Sequence, residues 1–169
     1  DELNSLCVIW AAGISGNTVK GLSSRSVLPN GRIIVNDLNE VKWVKDVYAI
    51  GDISIHMSPE NPNGHPQVAP VAIQQAENLA KNLNRSLKNK AFQSFKYIDK
   101  GSMATVGRNK AVVELSFLKF GGTMAWLTWM FVHLMSIIGI KNRIFILINW
   151  LYNYFTFNLS LRLILKERK

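Results

Sequence analysis

Cysteine is almost absent from this sequence of 169 residues, in which Cys7 is the single example. One cysteine cannot form a disulfide within the chain, which fits a reducing compartment. Cys7 lies in the apolar run LCVIW, so we expect a buried small hydrophobic side chain rather than a reactive thiol. No cysteine or carboxylate lies at metal-ligand spacing around His56, His65 or His133, and the sequence therefore predicts no metal site.

A G-x-G-x-x-G turn, the pattern that holds a dinucleotide pyrophosphate at a helix N-terminus, is also lacking. Gly13 and Gly16 come nearest to it but have the wrong spacing. The opening DELNSL has no initiating methionine and no basic signal segment, and an apolar run follows almost at once. We therefore expect the C-terminal part of a longer protein.

Acidic residues are scarce in the last third of the chain. Residues 118–169 contain seven Lys or Arg and one acid. These cations bracket apolar runs instead of spreading over a polar face, which favours a membrane surface over nucleic acid as the partner.

Two apolar stretches, residues 121–140 and 144–161, occupy this tail and are separated by the sequence KNR at residues 141–143. Each has nearly the ~20 residues that a membrane-spanning helix needs. The second stretch also contains recurring asparagines and aromatic residues such as Trp150, which favour the boundary between water and lipid. We expect two interfacial helices, with a spanning hairpin and helices buried in a soluble core as the alternatives.

The first two thirds of the chain predict alternating strands and helices. The run LCVIWAAG predicts a central parallel strand that ends at Gly13, and a turn at residues 29–31 precedes a second strand with a basic residue at its start. The stretch DVYAIGD predicts a further buried strand. Later, SMATVG and AVVEL predict two short strands around the turn at residues 107–110.

A loop rich in proline and glycine follows DVYAIGD, and a helix is predicted to begin near Pro70, since proline is tolerated in a first helical turn. Apolar residues recur along this helix at three- and four-residue steps, which indicates its buried face. They are Ala72, Ala76, Leu79, Ala80, Leu83 and Leu87.

Gly51 and Asp52 lie at the end of the DVYAIGD strand, and the ends of parallel strands are where open sheets bind ligands. A glycine allows a ligand to approach the backbone, and an adjacent aspartate can accept hydrogen bonds from sugar or ribitol hydroxyls. A plain turn is the alternative interpretation, because both residues are common in turns. The helix near Pro70 favours a cofactor, since its N-terminus directs N–H groups and a partial positive charge at the same region.

Several stretches together resemble the C-terminal part of a type II NADH:quinone oxidoreductase, a single-subunit enzyme that does not pump protons. They are VYAIGD, APVAIQQAENLAKNL, YIDKGSMATVGRNKAV and AWLTWMFVHL followed by GIKNRIFILINWLYNYFT. The resemblance covers essentially the whole chain in order. Strand–Gly–Asp is shared by many flavoproteins with two dinucleotide-binding domains, whereas the KGSMATVG and NRIFILINW runs are much more specific.

The resemblance implies an FAD site. By position, Asp52 would contact the ribitol of FAD, Gly51 would permit the approach, and Ala69, Pro70, Val71 and Ala72 would lie along the pyrimidine edge of the flavin. Gly13, in the sequence WAAG, would lie at the strand end of the NADH domain that faces the flavin and nicotinamide. Lys100 would be an FAD neighbour, although a solvated lysine in a turn is an equal alternative.

The resemblance also implies a quinone site. The family pattern is Ala-Gln, three residues and Gln; here Pro70 replaces the first Gln and leaves Gln74 as the polar contact for the quinone head group, with a role for Gln75 left open. Trp129 would lie near the quinone entrance, with lipid anchoring or core packing as alternatives. No side chain is expected to act as a catalytic nucleophile.

The expected fold class is α/β: the C-terminal part of a Rossmann-like flavoprotein with two dinucleotide-binding domains, plus a helical membrane-anchoring tail. Residues 1–91 would complete those domains, the NADH domain to about residue 45 and the returning FAD-domain strand and helix from 46 to 91. Residues 92–116 would form short connecting strands, and residues 117–169 the membrane-associating helices.

The expected activity is electron transfer from NADH through FAD to a membrane quinone, by an enzyme of which this chain alone would be inactive. A bacterial inner membrane, on its cytoplasmic face, is the expected location, and the aromatic tail could support a homodimer. The alternatives are a soluble FAD-dependent reductase, which the apolar tail and the missing redox cysteine pair disfavour, and a membrane-anchored binding module without redox activity.

Overall fold

The computed structural model describes residues 7–8, 13–59 and 61–156. The chain forms two compact units, Asp1–Asp99 and Lys100–Lys169. The border between them lies between Asp99 and Lys100. Most of the predicted LCVIWAAG strand, and the tail beyond residue 156, lie outside the described residues.

A two-stranded parallel sheet forms the centre of the first unit. Strand β1 (Ile33–Ile34) pairs with β2 (Ser54–Ile55). The predicted turn before β1 is confirmed: Gly31 has φ +78, and its N–H donates to the carbonyl of Leu28 at 2.8 Å. A small apolar core lies beside β1 and consists of Ile33, Val35, Val41 and Ala49.

The stretch DVYAIGD does not form the expected strand; the strand begins at Ser54, after this stretch. Tyr48 forms only an isolated antiparallel bridge with Glu40, and the N–H of Ala49 donates to the carbonyl of Asn39. These bonds tie the stretch to the preceding turn. The parallel partner of β1 is β2, which begins after the Gly–Asp turn and not before it. The prediction that Gly51 ends a buried strand was therefore wrong, because the strand residues follow it.

Helix α1 (Ala69–Ser86) begins where the sequence predicted, with Pro70 in its first turn. Its buried face was predicted wrongly. The buried residues are Val71, Gln75 and Asn82, whereas Leu87, which ends the predicted stripe, is 84% exposed.

Polar side chains of α1 explain this difference, because they bind the backbone of the following extended segment, residues 91–98. The amide of Asn82 donates to the carbonyl of Gln93 and accepts from its N–H, both at 2.8 Å. Arg85 donates to the carbonyl of Ala91 at 2.7 Å. The helix thus supplies the backbone partners that a neighbouring strand would supply in a sheet.

A three-stranded antiparallel sheet and two helices form the second unit. The predicted hairpin is confirmed as β3 (Ser102–Gly107) and β4 (Lys110–Glu114), and β4 also pairs with β5 (Lys119–Gly121), which the sequence did not predict. Helix α2 (Gly122–Ser136) follows directly. Its Ala125 is fully buried and forms the core of this unit with Ala111 and Val113 of β4.

The break between the tail helices lies earlier than the sequence suggested. Helix α3 is Ile140–Thr156, so residues 141–143 lie inside its first turn and do not separate the helices. The break falls at residues 137–139, where Gly139 has φ +89. Arg143 reaches back to α2 and donates to the carbonyls of Met135 and Ile137 at 2.9 and 2.8 Å. A basic side chain here satisfies carbonyls at the end of a helix.

Within the described residues, no helix combines the length and apolar character required to cross a membrane. Cys7 is exposed, contrary to the expectation of a buried side chain. Val8 is exposed as well, and neither residue belongs to a strand.

Candidate functional site

The candidate site of the first unit is built around the 3₁₀ turn Gly51–Ile53. Gly51 has φ +72, a backbone conformation that glycine adopts without steric cost. Its carbonyl accepts hydrogen bonds from the backbone N–H and the hydroxyl of Ser54, which close the turn. Asp52 is exposed, and its backbone carbonyl accepts a 3.0 Å bond from the side-chain amide of Gln67. The turn therefore presents a carboxylate to solvent on a fixed backbone.

Gln75 connects this turn to α1. Its Oε1 accepts a 2.7 Å bond from the N–H of Gly51, and its Nε2 donates to the hydroxyl of Ser54 at 3.4 Å. Because that hydroxyl donates to the carbonyl of Gly51 at 3.0 Å, the three residues form a closed ring of hydrogen bonds. Gln75 and Ser54 are both 2% exposed, so water cannot replace these bonds easily.

Arg32 extends the network on the other side of Ser54. Its Nε and Nη2 donate to the Ser54 carbonyl at 3.1 and 2.6 Å, and Nη2 also donates to the carbonyl of His65 at 3.4 Å. Burial lowers the pKa of Arg32, and the negative charge of Asp52 opposes that shift. The buried cation thus lies within electrostatic range of the exposed carboxylate.

The first turn of α1 lies against Gly51. A Cβ atom built on Gly51 would lie 3.3 Å from the Cβ of Ala72, so a side chain at this position would crowd the helix. Among the described residues no side chain caps the helix N-terminus and no acid lies in its first turn, which keeps the positive end of the helix dipole uncompensated. Ala69 is exposed and Pro70 half-buried, whereas the side chain of Val71 lies in the interior. The structure therefore brings Gly51, Asp52 and the first turn of α1 together.

Gln74 lies one residue before Gln75 on α1 and binds a different part of the chain. Its Nε2 donates to the carbonyl of Ile98 at 2.9 Å, and its Oε1 accepts from the Ile98 N–H at 3.0 Å. A side-chain amide has two donor hydrogens and two acceptor lone pairs, so one of each remains for a ligand. The pairing with Ile98 fixes how this amide is oriented.

Trp129 lies on α2 in a group of aromatic rings within the second unit. It stacks on His133 with centroids 4.0 Å apart and on Trp150 of α3 at 6.2 Å. Beside it, the guanidinium of Arg108 lies 4.8 Å from the ring centroid of Tyr154. A cavity of about 250 Å³ opens among these side chains, and its lining residues are Arg108, Trp126, Trp129, Met130, Trp150, Asn153 and Tyr154.

The two remaining predicted residues have no described role in either group. Gly13 is exposed with φ +76, and its neighbours Trp10 to Ala12 lie outside the described residues. Lys100 is exposed at the start of the second unit.

Two histidines lie in the loop before α1. The rings of His56 and His65 have centroids 6.3 Å apart, and the edge of His65 meets Phe95 at 5.5 Å. Burial lowers the pKa of both; Asp37 opposes the shift at His56, and the charge of His56 adds to the shift at His65.

Sequence reasoning missed Arg32 and Ser54 and left Gln75 unassigned. Arg32 was noted only as a basic residue at the start of a strand, which usually means exposure. The three residues are 22 and 21 positions apart, and no local spacing links them. A serine three residues after the glycine was the one local signal, because its hydroxyl can close the turn on the glycine carbonyl.

Comparison with protein families gives two matches. Residues 1–76 match the family described as pyridine nucleotide-disulphide oxidoreductase, and residues 100–157 match the NDH2 C-terminal domain. The first match contains most of the Gly51 site, and the second contains the sheet and helices of the second unit. Residues 1–76 are therefore similar to the pyridine nucleotide-disulphide oxidoreductase class.

Curated relatives make the assignment more specific. The chain is 33% identical to the type II NADH:quinone oxidoreductase NdhA of Mycobacterium tuberculosis and 34% identical to Ndh of the same organism, with 88% of this chain and 32% of each relative covered. It is 29% identical to the internal alternative NAD(P)H-ubiquinone oxidoreductase A1 of Arabidopsis thaliana mitochondria, over 87% of this chain and 32% of that relative. The chain spans about a third of the length of these relatives. It belongs to the type II NADH:quinone oxidoreductase family.

A solved structure supports the fold. NDH2 from Plasmodium falciparum in complex with NADH matches with a TM-score of 0.65 and 16% identity, over 75% of this chain and 39% of that one. The same protein in complex with RYL-552 matches with a TM-score of 0.63.

Proposed function

We propose that this chain is the C-terminal portion of a membrane-associated flavoenzyme that transfers electrons from NADH through FAD to a membrane quinone without pumping protons. The observation that carries the proposal is the Gly51–Asp52 turn packed against the uncapped first turn of α1. The family membership supports it, because the M. tuberculosis relatives are named NADH:quinone oxidoreductases.

The residues at this turn fit an FAD. Gly51 leaves a space that a Cβ would fill, and the exposed Asp52 carboxylate can accept hydrogen bonds from ribitol hydroxyls. Ala69 and Ala72 would border the pyrimidine edge with small side chains, and Pro70 with its ring. Val71 would contribute only backbone, since its side chain is buried. When bound, FAD supplies the acceptance of hydride from NADH and the delivery of electrons to the quinone.

The positive end of α1 would favour electron-rich atoms at the pyrimidine edge. Gly13 and Lys100 are further proposed neighbours of the nucleotides, on family position alone. None of these residues needs to act as a nucleophile, because the protein contributes binding and electrostatics to cofactor chemistry.

A quinone head group would bind at Gln74. The amide of Gln74 keeps one N–H for a quinone carbonyl while it holds Ile98. On family position alone, Trp129 of the second unit, which stacks on His133 and on Trp150, would lie near a quinone entrance.

The second unit would dock on the bilayer through α2 and α3. Both helices expose large apolar side chains, which suits the lipid boundary, and Tyr152 adds an exposed amphipathic ring. The most exposed apolar residues of these two helices are Met124, Phe131, Ile140, Phe145, Ile148 and Phe155. Lys141 is exposed beside them and can reach anionic headgroups, whereas Arg143 is bonded to the end of α2. We place this surface on the cytoplasmic face of a bacterial inner membrane; a homodimer through the tail is a second assembly consistent with it.

The test uses the longest open reading frame that contains this chain, purified in detergent. We expect bound FAD and NADH-dependent reduction of a short-chain quinone. Asp52→Ala should weaken FAD binding, and Lys45→Ala, an exposed substitution in the same unit, should leave it unchanged. A protein that binds no FAD would contradict the proposal and favour a binding module; a protein that binds FAD but reduces only soluble acceptors would favour the soluble reductase.

Membrane association is tested separately by extraction. Interfacial helices predict release from membranes by high salt or alkaline carbonate. A protein found in the soluble fraction from the start would contradict docking, and one that resists both treatments would contradict an interfacial arrangement.

A further inference from the structure

We propose that Gln75 is a positioning residue of the flavin site: through its bond to the Gly51 N–H, and together with Ser54, it holds the Gly51–Asp52 turn in the conformation that presents Asp52 to the ribitol. This inference rests on the proposed FAD site. It assigns a role to Gln75, whose side chain binds Gly51, whereas the side chain of the adjacent Gln74 binds Ile98.

The turn needs such a residue because it is too short to fix itself. A single 3₁₀ turn contains three residues, and its first residue has the positive φ of Gly51. Glycine has more conformational freedom to lose than any other residue, so this conformation must be held by contacts from outside the turn. The bond from the Gly51 N–H to Gln75, at 2.7 Å, joins the turn directly to α1.

The ring of hydrogen bonds is complete on both sides of the glycine. Gln75 accepts from the N–H of Gly51, and Ser54 donates its hydroxyl to the carbonyl of Gly51. The link from Gln75 to the Ser54 hydroxyl joins the two bonds. Both peptide groups that flank the Cα of Gly51 are thereby fixed, and the backbone that leads into Asp52 is fixed with them.

Arg32 anchors the same ring to the sheet. Arg32 directly precedes β1, and its two bonds go to the carbonyl of Ser54, which begins β2 and also belongs to the ring. The position of Asp52 therefore depends on α1 through Gln75 and on the sheet through Ser54. If either link were lost, the Asp52 carboxylate would still be present, but its position would no longer be fixed.

Asn82 offers a matched control for the structural part of this role. It is another buried amide on the same face of α1, 1% exposed, and it also bonds backbone groups. Its partner is Gln93 in the extended segment, and the ring around Gly51 does not include it. A variant of Asn82 thus measures the cost of losing a buried amide without disturbing the turn.

The experiment compares Gln75→Leu, Gln75→Glu and Asn82→Leu in the longest open reading frame that contains the chain. Thermal unfolding of the apoprotein reports stability, and flavin fluorescence during titration with FAD reports the dissociation constant. We expect both leucine variants to lower Tm by similar amounts. The FAD dissociation constant should rise about tenfold in Gln75→Leu only, since one bond of this kind corresponds to roughly that factor.

Gln75→Glu keeps an acceptor for the Gly51 N–H, so its dissociation constant should lie closer to that of the wild type than to that of Gln75→Leu. Equal FAD affinities of Gln75→Leu and Asn82→Leu would overturn the inference. If Gln75→Leu does not fold, Ser54→Ala decides, with a rise of about threefold expected and an unchanged value overturning it. A wild type without FAD affinity would instead refute the proposed function itself.

Discussion

Gly51 and Ala72 approach each other so closely that a Cβ atom built on the glycine would lie 3.3 Å from the Cβ of the alanine. The first is in a 3₁₀ turn and the second is near the start of α1. A side chain at residue 51 would therefore require Ala72 to move by a few tenths of an ångström.

Gly51→Ala should lower the free energy of unfolding of the first unit by about 2–4 kcal/mol. Roughly 1–2 kcal/mol is the cost of a left-handed alanine, and crowding against Ala72 adds the rest. Urea unfolding measures the change. Gly21→Ala is the matched control, because Gly21 has φ +98 but nothing within 4 Å of a built Cβ. If the two variants lose the same stability, the crowding at Gly51 is negligible.

Arg143→Met should loosen the corner between α2 and α3. The substitution keeps the apolar stem but removes the bonds to the carbonyls of Met135 and Ile137. Loss of charge-assisted bonds of this kind should cost about 2–3 kcal/mol in urea unfolding of the second unit, with a loss of helical circular dichroism at lower urea concentration. Lys141→Met, an exposed change two residues away, should alter stability by no more than about 0.5 kcal/mol. A similar loss in both variants would show that the corner does not depend on these bonds.

Acid should destabilise the first unit through His56 and His65. Burial lowers the pKa of each below its ordinary value of 6.5, so the unfolded chain takes up protons at a higher pH than the folded chain. The stabilising effect is fully present above pH 6.5 and is lost as the pH falls through the folded-state pKa values. Asp37 opposes this at His56, whereas Lys42 reinforces it.

The measurement is Tm between pH 7.5 and 5.5 for the wild type and for His56→Asn combined with His65→Gln. The double variant should show a smaller fall in Tm over this interval. His133→Gln, on exposed α2 surface, is the control and should follow the wild type. Parallel curves for the double variant and the wild type would assign the acid sensitivity to other groups.

The sequence correctly predicted the helix start, the turns and the hairpin, which depend on residues close together in the chain. Pro70 marked the start of α1 because proline suits a first turn, and glycine marked the turns before β1 and between β3 and β4. The pairing of β3 with β4 followed because the two strands are adjacent in the chain. The order of the Gly–Asp pair and the next helix also suggested that the two lie together, and Gly51 does lie against Ala72 of α1.

Long-range bonds determine the rest, and the sequence does not display them. The partner of β1 is β2 rather than the stretch before Gly51, because bonds at Tyr48 and Ala49 already tie that stretch to the preceding turn. The buried face of α1 is partly polar, since amides such as Asn82 are satisfied by backbone groups of a distant segment. Apolar spacing cannot reveal a face of that kind. Such a face is recognised only when the positions of the amide side chains and of their backbone partners are both known.

The hydrogen bonds between α1 and the extended segment at residues 91–98 require that the spacing of the bonded residues on the helix matches their spacing in the segment. Gln74 and Asn82 lie eight residues apart on the helix, a rise of about 12 Å, and they hold Ile98 and Gln93, whose five residues of chain span at most about 17 Å. One extra residue inserted between Gln74 and Asn82 would rotate one of these two side chains by about 100° around the helix axis. Its backbone partner would then be left unsatisfied. An extra residue at positions 88–90 would lie in the connection between the helix and the segment, and it would change neither the spacing of Gln74 and Asn82 nor that of Gln93 and Ile98. We therefore expect insertions to be tolerated better after the helix than within it.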